Sequence, residues 1–148
     1  MREVSERLRL VIAEAEPKLR GTTEEDSGKA ALQGGWSRKQ VIGHLIDSAA
    51  NNHQRFVRAA LQGSFEGPGY AQDDWVSLQD YQGRKWAELL AFWSAYNRHL
   101  THVIAQLPED KAGALCKIGA GEPHTLEWLV TDYVDHMVGH LKQIGVVS

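Results

Sequence analysis

Two histidines near the C-terminus constrain the fold more than any other feature of the sequence. His136 and His140 are four residues apart within residues 133–144. Residues four apart lie on the same face of an α-helix, so this spacing can direct two imidazoles to one point. The apolar residues of the predicted helix are Leu126, Leu129, Val130, Tyr133, Val134, Met137, Leu141 and Ile144. They form one face with His140 inside it and His136 at its edge, so the pair is predicted to point towards the core.

Imidazoles that are half-buried need hydrogen bonds or a metal ion, because an unpaired polar group there costs about 1–3 kcal/mol. In a structural interpretation, His136 and His140 bond to neighbouring side chains or carbonyls. In a functional interpretation, the rest of the chain brings a third metal ligand to the pair. The spacing alone does not decide between the two.

The size and charge of the chain exclude several classes of protein. Its 148 residues suit one domain, residues 1–148, with one core. A net charge of -3, with scattered Lys and Arg, gives no reason to expect nucleic acid or a membrane as a partner. The single cysteine, Cys116, cannot form an internal disulfide, and the first residues lack the apolar run of a signal peptide. We therefore expect a cytoplasmic protein.

Hydrophobic periodicity predicts four long amphipathic helices. They span residues 3–20, a second segment from a cap at Ser37 to about 62, residues 78–106, and a fourth segment from a cap at Thr125 to about 145. Such helices joined by ordinary loops are typical of an all-α four-helix bundle, in which ligands come from facing helices.

Three connections join the predicted helices. Residues 22–35 are polar and suit a surface connection. Residues 63–77 form a structured loop whose Tyr70 and Trp75 are costly to leave in water, so it is predicted to fold over an end of the bundle. Whether it acts as a lid or as plain packing stays open. Residues 110–123 are predicted to carry a short hairpin around 114–118.

Polar residues line up beside the apolar face of the second predicted helix. His44, Ser48, Asn51 and Arg55 fall within about 60° of one another, as the wall of a pocket between helices would require. Taken singly, Ser48 and Arg55 are more simply interpreted as a partly solvated flank.

Other reactive side chains carry weaker signals. His99 and His102 are three apart, but His102 falls on the polar side of its helix, so both are interpreted as solvated or locally bonded. Cys116 has no neighbouring pattern that would lower its pKa, and is interpreted as an inert thiol.

The second helix also resembles a known family. Residues 35–48, followed by Asn51, Asn52, Arg55 and Phe56, are similar to the second-helix signature of the DinB superfamily. More narrowly, the segment from Pro68 to Trp75 is similar to the Pro-Gly-Tyr-like loop of the YfiT branch. The start at Thr125 and the histidine spacing also resemble the family's last helix. The resemblance covers essentially the whole chain.

This resemblance implies a four-helix bundle that binds a divalent transition metal through His44, His136 and His140. Three neutral imidazoles suit zinc, nickel, iron or manganese, and the spacing does not choose among them. Many relatives carry an extra histidine beside these ligands, where this chain has Gly43 and Leu141. The surroundings of the metal are therefore expected to differ.

The same resemblance implies a metal-dependent thiol S-transferase, of the bacillithiol S-transferase type, or a hydrolase. The substrate would be a small molecule such as a low-molecular-weight thiol. In that interpretation Asp47 or Asn51 orients ligands or accepts a proton, and Arg55 holds an anionic group. One alternative is a non-catalytic metal-binding or stress-response bundle, with a homodimer as an option. Another is a bundle that has lost its metal and keeps the histidines as core polar groups.

Overall fold

A computed structural model of the chain describes residues 1–31 and 35–148; residues 32–34, in the first predicted connection, lie outside the described residues. The architecture is mostly helical, which confirms the predicted four-helix bundle. The elements in chain order are α1 (Arg2–Gly21), α2 (Glu24–Gly28), α3 (Arg38–Gln62), β1 (Ser64–Gly67), α4 (Gln72–Leu78), a 3₁₀ turn (Tyr81–Gly83), α5 (Trp86–Gln106), a 3₁₀ turn (Glu109–Lys111), β2 (Leu115–Ile118), β3 (His124–Thr125) and α6 (Leu126–Gln143).

The four long helices α1, α3, α5 and α6 enclose one apolar core. Helix α1 packs against α5 and α6, and α3 packs against the same two helices. Each helix contributes fully buried side chains, among them Leu8, Leu45, Trp93 and Val134. Because α3 and α6 are neighbours, the polar residues of α3 can face the C-terminal histidines.

Two helix starts are fixed by local sequence. The Ser37 hydroxyl accepts a hydrogen bond from the Gln40 backbone N–H, and the Gln40 side chain accepts one from the Ser37 backbone N–H. This reciprocal pair is a capping box, which satisfies two helix donors at once. The Thr125 hydroxyl accepts from the Trp128 N–H in the same way. Both predicted caps are confirmed.

The predicted start of the third long helix is wrong. The prediction ran from residue 78, whereas α4 ends at Leu78 and α5 begins only at Trp86. Asp80 lies in the left-handed region at φ 48°, which breaks the helix between them. The N–H of Trp86 is instead bonded to the carboxylate of Glu24, at 3.0 Å. Helix α5 therefore starts where Glu24 of α2 accepts a hydrogen bond from its first backbone N–H. The sequence around residue 86 does not indicate this distant contact.

A small three-stranded sheet joins the end of α3 to the start of α6. The predicted hairpin is present, because β2 pairs antiparallel with β3 and Cys116 faces His124. Strand β1 was not predicted; it pairs parallel with β2, with Phe65 facing Cys116. Gly63, at φ 79°, turns the chain from α3 into β1, a conformation that glycine adopts without strain. Within the described residues, no helix has both the length and the hydrophobicity needed to cross a membrane.

Candidate metal centre

Three imidazoles meet between α3 and α6. His44 lies on the second turn of α3, and His136 and His140 lie on the last turns of α6. One ring nitrogen from each residue lies within 4.8 Å of those of the other two. The ring centroids are 4.7–5.0 Å apart, with interplanar angles of 71–78°. This cluster could hold a metal ion.

The donor set fits a transition metal. His44 Nε2 and His136 Nε2 lie 3.1 Å apart. Two nitrogens bound tetrahedrally to one Zn²⁺ would lie roughly 3.3 Å apart, given Zn–N bonds of about 2.0–2.1 Å. His44 is 1% exposed, and among the described residues its Nδ1 has no hydrogen-bond partner. The polar contact of this ring is therefore made by Nε2, towards the other imidazoles.

Neighbouring side chains orient the rings. The amide oxygen of Gln143 accepts from Nδ1 of His140 at 3.2 Å, which leaves the lone pair on Nε2. The indole of Trp36 lies against the rings of His44 and His140, with centroids 4.9 and 6.2 Å away. Trp36, just before the cap of α3, therefore covers one side of the cluster.

Burial keeps two of the imidazoles neutral. Desolvation, reinforced by His136 and His140, lowers the pKa of His44 to about 3. Desolvation also lowers the pKa of His136, with a smaller contribution from His140, while Asp132 acts in the opposite direction. Neutral imidazoles offer the lone pairs that a metal needs, so both groups are ready ligands at pH 7.

This low pKa makes the stability of the metal-free protein depend on pH. The unfolded chain takes up a proton at His44 near pH 6.5, whereas the folded chain does so only near pH 3. Between these values the unfolded state binds more protons, so the free energy of unfolding should fall as pH falls from about 6.5 towards 3. Urea unfolding of the metal-free protein at several pH values measures this. A His44→Asn variant should show a shallower dependence, and an identical dependence would contradict the explanation.

Asp47 lies one turn after His44 and is 2% exposed. Its Oδ1 accepts hydrogen bonds from the Tyr81 hydroxyl at 2.6 Å and from Nε2 of Gln79 at 2.9 Å. Among the described residues its Oδ2 has no partner. Burial raises the pKa of Asp47, while the two hydrogen bonds oppose that rise. Oδ1 of Asp47 is thus held by two hydrogen bonds, whereas Oδ2 is available to accept a hydrogen bond.

The Tyr81 ring packs directly against Gly43, the residue before His44. A Cβ on Gly43 would lie 2.2 Å from the Tyr81 ring, much closer than two carbon atoms that are not bonded to each other can approach. A larger residue at position 43 would therefore displace Tyr81.

The remaining polar residues of α3 continue along the same face. The interpretation of Ser48 and Arg55 as a solvated flank is wrong, because they are only 3% and 9% exposed. The Asn51 amide donates to the carbonyl of Asp47 within its own helix, at 2.9 Å. The Arg55 guanidinium donates to the carbonyl of Pro68 at 3.3 Å, which ties the helix to the loop after β1.

That loop brings Tyr70 to the polar residues of α3. Burial raises the pKa of Tyr70, and the nearby Asp47 raises it further, whereas Arg55 and Ser48 lower it. Tyr70 is half-buried, and its ring lies 5.2 Å from that of Trp75, which is 38% exposed. The loop was predicted to fold over an end of the bundle; through Tyr70 it lies near the polar residues of α3.

Sequence reasoning missed Gln79, Tyr81 and Gln143 as supporting residues. Gln143 could have been found, since it lies three residues after His140 on one helix. Gln79 and Tyr81 lie more than thirty residues from Asp47 in a segment predicted to be continuous helix. His102 is exposed, as predicted, and Cys116 is buried, which raises the pKa of its thiol.

Comparisons with known proteins agree with this architecture. No curated protein matches the sequence. YfiT from Bacillus subtilis, a structure described as "a probable metal-dependent hydrolase with an unusual four-helix bundle topology", aligns with a TM-score of 0.81 at 23% identity, over 95% of this chain and 83% of YfiT. The mycothiol-dependent maleylpyruvate isomerase aligns with a TM-score of 0.81 at 14% identity, over 99% of this chain. The chain spans only 61% of that isomerase.

At these identities the structural similarities show a shared fold. Family membership rests on the sequence itself. The sequence model of the DinB superfamily matches residues 7–144, which include all three clustered histidines and the four long helices almost entirely. The chain therefore belongs to the DinB superfamily.

Proposed function

We propose that the protein is a metal-dependent enzyme that acts on a small molecule, as a thiol S-transferase or as a hydrolase. The observation that carries this proposal is the cluster of His44, His136 and His140, with ligand nitrogens within 4.8 Å, beside a buried polar face. The descriptions of YfiT as metal-dependent and of the isomerase as mycothiol-dependent support it. The metal would be a divalent transition ion such as zinc, nickel, iron or manganese.

Three protein ligands are typical of catalytic rather than structural sites, because they leave coordination positions open. A bound ion would lower the pKa of a thiol or a water and so supply a nucleophile at neutral pH. Asp47, with Oδ1 held by Tyr81 and Gln79, would orient the substrate or accept a proton at Oδ2. Asn51, bonded through its Nδ2 to the Asp47 carbonyl, would offer its amide oxygen for orientation.

Arg55 would bind an anionic group of the substrate. Arg55 as a whole is 9% exposed, and among the described residues its guanidinium forms no ion pair with a carboxylate. A buried guanidinium without a counter-ion attracts an anion strongly, and its planar fork suits a carboxylate or phosphate. It lies three helical turns after His44, so the anionic group would bind away from the reacting atom.

An Arg55→Met variant tests this role. A charge-assisted hydrogen bond contributes about 1.5–3 kcal/mol, so kcat/KM for anionic substrates should fall roughly 10- to 150-fold. Metal content should not change. The assay is a screen of thiol conjugation and ester hydrolysis that pairs each anionic substrate with its neutral amide. Arg58→Met, at an exposed position of the same helix, is the control. Equal losses for anionic and neutral substrates would contradict the role.

The packing of Tyr70 against the polar face favours one alternative, a non-catalytic metal-binding bundle that could work as a dimer. In that case the loop covers the polar face and the metal mainly stabilises the fold. The same screen separates the two functions. Turnover that disappears when the metal is removed supports the enzyme. Retained metal with no turnover for any substrate, in a protein that sediments as a dimer, supports the alternative.

A further inference from the structure

A second pair of histidines faces across the bundle, between α3 and α5. The ring centroids of His53 and His99 are 5.3 Å apart, with an interplanar angle of 81°. The rings of the candidate metal centre are 4.7–5.0 Å apart, at 71–78°. The rings of the second pair are therefore spaced and tilted nearly as those of the first cluster are, although they lie elsewhere on the molecule.

One nitrogen of this pair is already oriented. His53 Nδ1 lies 2.9 Å from the Tyr96 hydroxyl, which is three residues before His99 on α5. When the hydroxyl oxygen accepts the Nδ1 proton, the lone pair of His53 is on Nε2 and free to bind a cation. Gln143 holds His140 in the same way. Metal-binding histidines commonly have such a partner on the second nitrogen.

The charges around the pair also permit a cation. Arg98, next to His99 in the sequence, forms an ion pair with the carboxylate of Glu16 on α1. This ion pair offsets the positive charge of Arg98, which would otherwise repel a cation bound nearby. Burial and the neighbouring His99 lower the pKa of His53, which favours its neutral form at pH 7. His99 is exposed and His53 half-buried, so an ion could reach the site from solvent.

We propose that His53 and His99 form a second transition-metal site, which takes a borderline-soft divalent cation such as Cu²⁺ or Zn²⁺. Among the described residues, these two histidines belong to no group of three ligands, so water would complete the coordination. The site should bind more weakly than the three-histidine centre, and Cu²⁺ most strongly among first-row ions. Because its ligands come from α3 and α5, a bound ion would join the two helices and stabilise the fold.

The test is a Cu²⁺ titration of the full chain, purified without a histidine tag and stripped of metal. The unaltered protein should show a weaker binding event besides any binding at the three-histidine centre. In a His99→Ala variant the affinity of that weaker event should fall at least tenfold. His102→Ala, which removes an exposed histidine from the same helix, should leave it unchanged. The electron paramagnetic resonance spectrum of the Cu²⁺ bound in this weaker event should show hyperfine coupling to nitrogens of two imidazoles.

A second variant separates this site from the first. His136→Ala/His140→Ala removes two of the three imidazoles of the first centre; in that background one Cu²⁺ should still bind, and its affinity should fall at least tenfold when His99→Ala is added. A weaker event that persists in His99→Ala, or its absence from the unaltered protein, would overturn the second site. Neither result bears on the three-histidine centre, whose failure would appear as loss of the stronger event alone.

Discussion

Replacing His44 by alanine is expected to remove the bound transition metal and with it any metal-dependent turnover. His44 is the only ligand of the proposed site on α3, so the variant keeps just the two imidazoles of α6. Loss of a residue that merely supports a ligand typically costs 10- to 100-fold in metal affinity or activity, and loss of the ligand itself should cost more than about 100-fold. Elemental analysis of the untagged variant and the substrate screen measure the two effects.

The matched control for this variant is His102→Ala. It also removes one imidazole, but from an exposed position on α5. Its metal content and turnover should equal those of the unaltered protein. Circular dichroism of His44→Ala should still show the helical fold, because the substitution removes a metal ligand and leaves the packing of the helices in place. If the His44→Ala protein turned over substrate at the original rate, the enzymatic interpretation would have to be abandoned.

Replacing Gly43 by alanine should have the second-largest effect, on stability. The new Cβ would lie 2.2 Å from the Tyr81 ring, which is only 4% exposed and cannot simply move into solvent. Overpacking of this kind typically costs about 1–3 kcal/mol. The ring must shift, so its hydroxyl should also lose the 2.6 Å hydrogen bond to Asp47. Urea unfolding measures the change in the free energy of unfolding.

Gly139→Ala provides the control for this second prediction. Gly139 is also helical, but a Cβ there meets no atom within 4 Å. Alanine is favoured over glycine inside helices by about 0.5–1 kcal/mol, so this variant should be slightly stabilised. In a Gly43→Ala/Tyr81→Ala double variant the cost of Gly43→Ala should largely vanish, because the clash is gone. A Gly43→Ala protein as stable as the original would contradict the packing explanation.

The sequence predicted what depends on helical periodicity and local capping. His136 and His140 share a face because they are four residues apart on one helix. Ser37 and Thr125 begin their helices with side-chain hydrogen bonds to backbone groups three residues ahead. Such features need no information from distant parts of the chain. The bundle, these caps and the shared face of the two C-terminal histidines could therefore be predicted.

Features made by contacts between distant segments could not be predicted in this way. The start of α5 depends on Glu24, which lies more than sixty residues earlier. Arg55 and Ser48 are buried because Tyr70 and Pro68 return to α3 after the chain has passed through β1. The pairing of His53 with His99 depends on how α3 and α5 pack. Periodicity places each residue on a face of its own helix, but it does not indicate which residue of another helix lies opposite.

The proposed function requires three imidazoles, one from α3 and two from α6, to bind the same metal ion. Anomalous diffraction from crystals of the metal-loaded, untagged protein would locate that ion. We expect one strong peak within bonding distance, roughly 2.0–2.2 Å, of a ring nitrogen of each of His44, His136 and His140. A strong peak bonded to other residues, with no density among these three rings, would contradict the proposed function.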